Sequence, residues 1–262
     1  MQSKLPYRGR LAPSPTGFLQ VGHAATFWRA QERSRARNGS LILRIEDLDR
    51  ERCRPEFRAA LVEDLAWFGL RWEGAPIWQS ERRALYLNAW KRLRDQGLIY
   101  PCHCTRRDVS SAAGAPHAED AEPIYPGTCR PARLTNPAAE DPVGMNWRFR
   151  VLEGEALEFL DQAAGPQRAL AGDEFGDFVV WRKDDVPAYQ LAVVVDDAAL
   201  QLTEVVRGAD LLRSTFRQLL LYRALDLAPP DFCHLPLVDS LGDRLAKRHD
   251  ALSLRGHCGR RA

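Results

Sequence analysis

The segment from Arg8 to His23 reads Arg-Gly-Arg-Leu-Ala-Pro-Ser-Pro-Thr-Gly-Phe-Leu-Gln-Val-Gly-His, and it restricts the fold more than any other part of the chain. Arg10, Leu11 and Ala12 form a short strand-like entry. Pro13 and Pro15 fix the backbone of the turn that follows, and Gly17 lets it bend. A long helical pattern then begins near Val21 and stops at Asn38-Gly39. A strand, a turn and a helix N-terminus in succession make an anion-binding corner, because the first helical N–H groups and the helix dipole face outward. Arg10 and His23 add a cation and a proton donor at its two sides. The spacing Gly17-x-x-x-x-Gly22 has the outline of a phosphate loop, but His23-Ala24 stands where Lys-Ser/Thr is required, which excludes that motif. Spacing alone also fits a surface loop leading into an ordinary amphipathic helix.

The chain has 262 residues, of which 45% are hydrophobic and 27% charged, so it can bury a substantial core as one large domain or a domain with an insertion. A net charge of +2 does not mark a nucleic-acid binder globally and leaves room for a local basic face. No apolar run approaches transmembrane length and the N-terminus lacks a secretion pattern, so a cytoplasmic protein with no membrane partner is expected. Six cysteines in such a chain point to metal binding or free thiols rather than a disulfide framework.

Ser40 to Asp49 begins as a buried-looking strand and ends in Glu46, Asp47 and Asp49, the pattern of a parallel strand whose C-terminal edge lines a crevice. Pro55 opens a one-sided helix stopped by Gly69, and Ser80 is the expected N-cap of a second, through Leu85, Trp90 and Leu93 to Gln96-Gly97. Residues 101–145 change character. Pro101-Cys102-His103-Cys104 leads into a stretch rich in Ala, Gly, Pro and acids, then Tyr125-Pro126-Gly127-Thr128-Cys129-Arg130. Such composition buries little core, so another cross-link is expected. Cys102, Cys104 and Cys129 can supply three thiolates to a tetrahedral zinc, with His103 and His117 as generic candidates for a fourth ligand. From Asn146 strand patterns return, in Trp147–Val151 and Gly176–Arg182. Thr203–Asp210 ends a further strand and leads into a helix bearing Leu212, Phe216, Leu219 and Leu220. The basic turn Gly242–His249 is, by itself, a solvated loop.

Taken together, Ala12-Pro13-Ser14-Pro15-Thr16-Gly17 with Leu19-Gln20-Val21-Gly22-His23, Arg44-Ile45-Glu46-Asp47, Tyr189-Gln190-Leu191-Ala192 ending in Asp196-Asp197, and Val205-Val206-Arg207-Gly208-Ala209-Asp210 resemble the class I aminoacyl-tRNA synthetases of the glutamate type. Among them Tyr125-Pro126-Gly127-x-Cys129-Arg130 resembles the zinc-binding insertion of the glutamyl-queuosine tRNA(Asp) synthetases. The resemblance runs from Arg8 to about Leu254 and implies an α/β fold with a Rossmann-like parallel sheet and a zinc-bearing insertion. Residues 1–100 and 146–262 would be the two halves of the catalytic domain and 101–145 the insertion, with no separate anticodon-binding domain. It also implies an enzyme that activates L-glutamate with ATP and passes it to queuosine in the anticodon loop of tRNA(Asp). By the same resemblance Arg10, Ser14, Glu46, Tyr189 and Arg207 surround glutamate. Thr16, Gly22, His23, Arg244 and Lys247 meet ATP, with His23 and Lys247 the catalytic pair. Cys102, Cys104, Tyr125 and Cys129 hold structural zinc, and Mg²⁺ accompanies ATP. Gln20 stands at the first histidine of the family's His-x-Gly-His element. Arg244 and Ala246 replace the first lysine and the serine of its Lys-x-Ser-Lys loop. Two alternatives are a shortened glutamyl-tRNA synthetase charging tRNA(Glu) and a catalytically silent, zinc-stapled RNA-binding module.

Overall fold

A computed structural model of the chain describes residues 6–19, 21–105, 107–109, 124–134 and 137–236. Arg244 and Lys247, like Gln20 and His117, lie outside the described residues.

The first half alternates strand and helix: β1 (Arg8–Leu11), α1 (Val21–Ala36), β2 (Ser40–Ile45), α2 (Pro55–Trp67) and β3 (Glu73–Trp78). The three strands form one parallel sheet in the order β1-β2-β3, with Arg8 opposite Ser40 and Ile45 opposite Trp78. β2 is buried along almost its whole length, as befits a parallel strand covered on both faces. α1 ends as expected at Asn38, in the left-handed region (φ 49°), and Gly39. There the chain passes so close to Tyr7 that a Cβ on Gly39 would lie 2.5 Å from the Tyr7 carbonyl. α2 starts on Pro55 and ends with Gly69 at φ 88° and the Leu70 amide donating to the Leu65 carbonyl at 3.1 Å, a Schellman closure.

α3 (Arg83–Asp95) follows, and Ser80 is not its cap. Ser80 sits in the 3₁₀ turn Gln79–Glu81 and donates through its amide (2.9 Å) and hydroxyl (2.7 Å) to the Asp47 carboxylate. A tertiary partner has taken the side chain that sequence assigns to local capping. β4 (Ile99–Cys102), β5 (Asn146–Phe149), β8 (Phe178–Arg182) and β9 (Val186–Pro187) make an antiparallel sheet in that order. β6 (Ala156–Asp161) and β7 (Gly165–Leu170) form a hairpin whose turn is capped by Asp161, which accepts from the amides of Ala163 (3.0 Å) and Ala164 (2.8 Å). The run after Pro187 is a helix, α4 (Tyr189–Ala199). It is followed by β10 (Glu204–Gly208), α5 (Leu212–Ala224) and β11 (Asp231–Leu235).

β10 and β11 pair in parallel, and β11 carries the hairpin on its far side, giving the order β10-β11-β6-β7. β10 adjoins β1, where the Thr203 amide donates to the Arg8 carbonyl at 2.8 Å and the Arg8 amide to Thr203 Oγ1 at 2.9 Å. Glu204 fastens this seam, accepting from Tyr7, Arg33 and Arg37 at 2.6–2.9 Å. Parallel strands therefore lie side by side as β3, β2, β1, β10 and β11, the Rossmann-like arrangement. One core under α1 and α2 includes Leu43, Leu65, Val206 and Cys233, so both halves share it. A second is built on Trp90, Trp147 and Trp181 beneath α3, α4 and α5. Among the described residues no helix is long and apolar enough to cross a membrane.

Candidate active site

The C-terminal ends of β1, β2 and β10 and the start of α4 bring the substrate residues named by the sequence into one neighbourhood. The turn after β1 is tied to the end of β2 by the Glu46 amide, which donates to the Pro13 carbonyl at 2.9 Å. Ser14 is exposed at the apex, Thr16 and Gly22 are half-buried, and His23 is exposed on the first turn of α1. A side chain built on Gly17 would meet no atom of the described residues within 4 Å.

Behind this corner lies a buried charge cluster. Arg44, fully buried on β2, donates to Asp197 at 2.5 Å and to Glu46 at 2.8 Å. Burial alone would favour its neutral form, but Asp197, Glu46 and Asp196 hold the guanidinium firmly charged. Asp196 accepts separately from Arg82 (2.7 Å), Gln79 (2.8 Å) and Tyr86 (2.9 Å). Arg10 is 5% exposed and donates through Nη1 to the Val206 carbonyl at 2.7 Å, while its buried Nε finds no partner among the described residues. Burial, then the neighbouring Arg44, pull its pKa below the usual arginine value against the opposing fields of Asp197 and Glu46. A buried donor without an acceptor is costly unless a ligand supplies one.

Tyr189, at the start of α4, joins the parts. Burial raises its pKa, Glu46 raises it further, and Arg207, Arg10 and Arg44 oppose the rise. The phenol thus lies in the fields of an acid from β2 and of cations from β1, β2 and β10. Arg207, 4% exposed, donates from Nε to His234 Nε2 at 2.9 Å and from Nη2 to Thr215 Oγ1 (2.9 Å) and Gln218 Oε1 (2.7 Å). His234 in turn meets Asp161 through Nδ1 at 2.5 Å. Sequence reasoning missed Arg44, Asp161, Thr215, Gln218 and His234. Arg44 had a legible signal, a charge inside an apolar strand. His234 and Asp161 had none, being 73 residues apart.

A second candidate centre lies at the end of β4. The sulfurs of Cys102, Cys104 and Cys129 all fall within 4.8 Å of one another. The Tyr125 hydroxyl is 3.5 Å from both Cys102 and Cys104, and the Cys104 and Cys129 sulfurs are 3.6 Å apart. A tetrahedral zinc with S at 2.3 Å and O near 2.0 Å requires S···S near ~3.8 Å and S···O near ~3.5 Å, so the four donors fit the ion. Burial works against the Cys129 thiolate, but bonds from the Tyr125 hydroxyl and the His103 amide favour it, and the thiol falls to about 7. The Arg148 guanidinium lies 3.9 Å over the Tyr125 ring and donates to Cys102 Sγ at 3.2 Å. His103 is exposed.

A parallel α/β sheet with an anion corner, a buried cluster of mixed charges at its strand ends and a thiol-rich annex describes a class I synthetase-type enzyme. The family model for the class I tRNA synthetases (E and Q), catalytic domain, matches residues 7–258. The chain is 47% identical over 252 residues to the glutamyl-Q tRNA(Asp) synthetase of Rhodopirellula baltica, covering 92% of this chain and 76% of that protein. It is 39% identical over 263 residues to the glutamate–tRNA ligase of a Hydrogenobaculum species, covering 96% of this chain and 55% of that one. A crystal structure of a glutamate tRNA ligase from Elizabethkingia meningosepticum, in complex with its amino acid, superposes with a TM-score of 0.75 at 26% identity, covering 93% of this chain and 52% of that chain. The chain spans about half the length of these two ligases. It belongs to the class I tRNA synthetases of the E and Q type, within the family of the glutamyl-Q tRNA(Asp) synthetases.

Proposed function

We propose that the chain activates L-glutamate with ATP and transfers the glutamyl group to queuosine in the anticodon loop of tRNA(Asp). The observation that carries the reading is the meeting of opposite charges at Tyr189, an acid from β2 facing arginines from β1 and β10. A zwitterionic amino acid with an extra carboxylate needs that pairing. Glu46, held by Arg44, takes the ammonium as a charge-assisted hydrogen bond. Arg207 takes the side-chain carboxylate through Nη1, which none of its protein bonds described above uses. Arg10, with its unpartnered Nε, and Ser14 complete the glutamate contacts.

In the first step a glutamate α-carboxylate oxygen attacks the α-phosphorus of ATP, and the bond to pyrophosphate breaks. In the second a hydroxyl of the queuosine cyclopentene-diol attacks the activated carbonyl and AMP leaves. Neither step needs a protein nucleophile, so the work of these residues is positioning and charge neutralisation. Thr16, Gly22 and the start of α1 bind phosphate oxygens. His23 and Lys247, with Arg244, offset the charge that grows on the leaving pyrophosphate. Mg²⁺ bound with ATP would supply charge shielding of the phosphates, and Cys102, Cys104, Tyr125 and Cys129 would hold a zinc that staples the insertion of residues 101–145 between the catalytic halves. The site is read as cytoplasmic in setting, where its substrates are.

The higher identity to a glutamyl-Q synthetase than to a glutamate–tRNA ligase supports the queuosine acceptor over the tRNA(Glu) 3′ end. The test is labelled glutamate offered with tRNA(Asp) that carries or lacks queuosine. Label only on the modified tRNA, retained after removal of the 3′-terminal adenosine, is the expected result; label on tRNA(Glu) instead overturns the reading. Glutamate-dependent exchange of pyrophosphate into ATP separates an active enzyme from a silent binding module.

A further inference from the structure

Arg207 is surrounded in an unusual way for a buried cation. Its bonds through Nε and Nη2 go to a histidine ring nitrogen, a hydroxyl and a carboxamide oxygen, all neutral acceptors. Arg44, on β2, is instead paired with two carboxylates. Each neutral acceptor around Arg207 is itself oriented. Gln218 must turn its carboxamide oxygen to Arg207 because its Nε2 donates to Gln190 Oε1 at 2.8 Å, and Gln190 Nε2 donates to Ser214 Oγ at 3.1 Å. His234 must present a bare Nε2, since the Arg207 Nε–H only donates. Its proton then sits on Nδ1, and Asp161 Oδ2 accepts it at 2.5 Å. Asp161 is fixed in turn by the amides of Ala163, Ala164 and His234 at 2.8–3.1 Å through Oδ1. Both members of this pair have fully buried side chains.

We infer that Asp161 and His234 are positioning residues that aim Arg207 at the substrate side-chain carboxylate without spending its charge, and so make the site select glutamate over glutamine. A carboxylate in direct contact with Arg207 would neutralise it and weaken its pull on a second carboxylate. With the acid one ring further away, the guanidinium is oriented by hydrogen bonds while most of its field stays available to the ligand. A site that offers only donors to the ligand's side chain also leaves the amide group of glutamine facing N–H groups, a mismatch that costs far more than a missing contact. The inference rests on the reading that Arg207 binds glutamate, and the test separates the two.

Asp161→Asn is the informative change. Asn Oδ1 still accepts the amides of Ala163, Ala164 and His234, but its NH₂ now faces Nδ1, so the proton moves to Nε2 and points at the Arg207 Nε–H. Steady-state pyrophosphate exchange is measured for glutamate, glutamine and ATP. The expected result is a rise in the glutamate KM of about tenfold, a matching fall in the glutamate-over-glutamine ratio of kcat/KM, and an ATP KM within about twofold of wild type. In ¹⁵N NMR of the unmodified protein, His234 is expected as the Nδ1–H tautomer, a readout that needs no variant to fold. Protonation at Nε2 in wild type overturns the inference. So does an unchanged glutamate KM in Asp161→Asn while Arg207→Gln raises it. If Arg207→Gln itself leaves the glutamate KM unmoved, the assignment of Arg207 to glutamate falls and this inference falls with it.

Discussion

Arg44→Met removes the cation from the middle of β2 and keeps the length of the side chain. Its cost follows from which acids are left behind. Asp196 keeps Gln79, Arg82 and Tyr86 and loses little, since Arg44 Nε approaches it only to 4.0 Å. Glu46 keeps 12% of its side chain exposed and can turn toward water. Asp197 cannot: its side chain is 4% exposed and, among the described residues, its remaining side-chain donor is the Tyr222 hydroxyl at 3.3 Å. The deficit is therefore the cost of one uncompensated buried carboxylate, about 3–5 kcal/mol.

Urea unfolding of the variant beside wild type measures this deficit directly. Arg44→Met with Asp197→Asn should recover most of the loss, because the pair is removed together. A deficit below about 1 kcal/mol, or one unchanged by Asp197→Asn, would refute this account of the cluster.

His234 gives a pH signature of its own: burial, then Arg207, push its pKa to about 4 against the pull of Asp161. The unfolded chain protonates first, near the free-histidine value of ~6.5, so this stability is complete above that value and is lost as pH falls toward 4, by up to about 3 kcal/mol; His234→Phe should flatten the difference in urea midpoint across that window. Glu204→Gln removes the charge that ties β10 to Tyr7, Arg33 and Arg37; since both arginines are partly exposed and can hydrate, the expected loss is about 2 kcal/mol with an unchanged glutamate KM. If the proposed zinc site forms, Arg148→Met should weaken zinc binding about tenfold in competition with a chromophoric chelator, because the guanidinium over Tyr125 and at Cys102 would offset the excess negative charge of that ligand set; equal affinity in the two proteins would count against that role.

The β1-turn-α1 corner was legible because its signals are local: prolines that fix the turn, and Asn38-Gly39 where the chain must reverse against Tyr7. The acids at the end of β2 and the thiols within residues 101–145 were legible for the same reason, since residue type and spacing within a few positions carry the chemistry. Ser80 shows where this stops. Locally it is a good helix cap, and only the fold brings Asp47 within 2.7 Å to claim it. Arg207 could be matched to a motif, but its environment could not. His234, Thr215, Gln218 and Asp161 reach it from β11, α5 and β6, elements whose adjacency depends on the β10-β11-β6 pairing.

Arg44 and Arg207 divide the labour by the kind of acceptor each is given. Arg44 meets carboxylates, is neutralised, and becomes part of the wall that holds Glu46. Arg207 meets neutral acceptors and keeps its charge at the price of a longer chain of oriented groups behind it. The arrangement accounts for Asp161 lying one residue back. Moved into contact with Arg207 it would strengthen the fold locally and weaken the attraction to a carboxylate ligand. Removed altogether, it would leave His234 free to turn either nitrogen toward the guanidinium. On the proposed assignment of Arg207 to the ligand's side-chain carboxylate, the charge offered to the ligand is therefore set two side chains away from the contact itself.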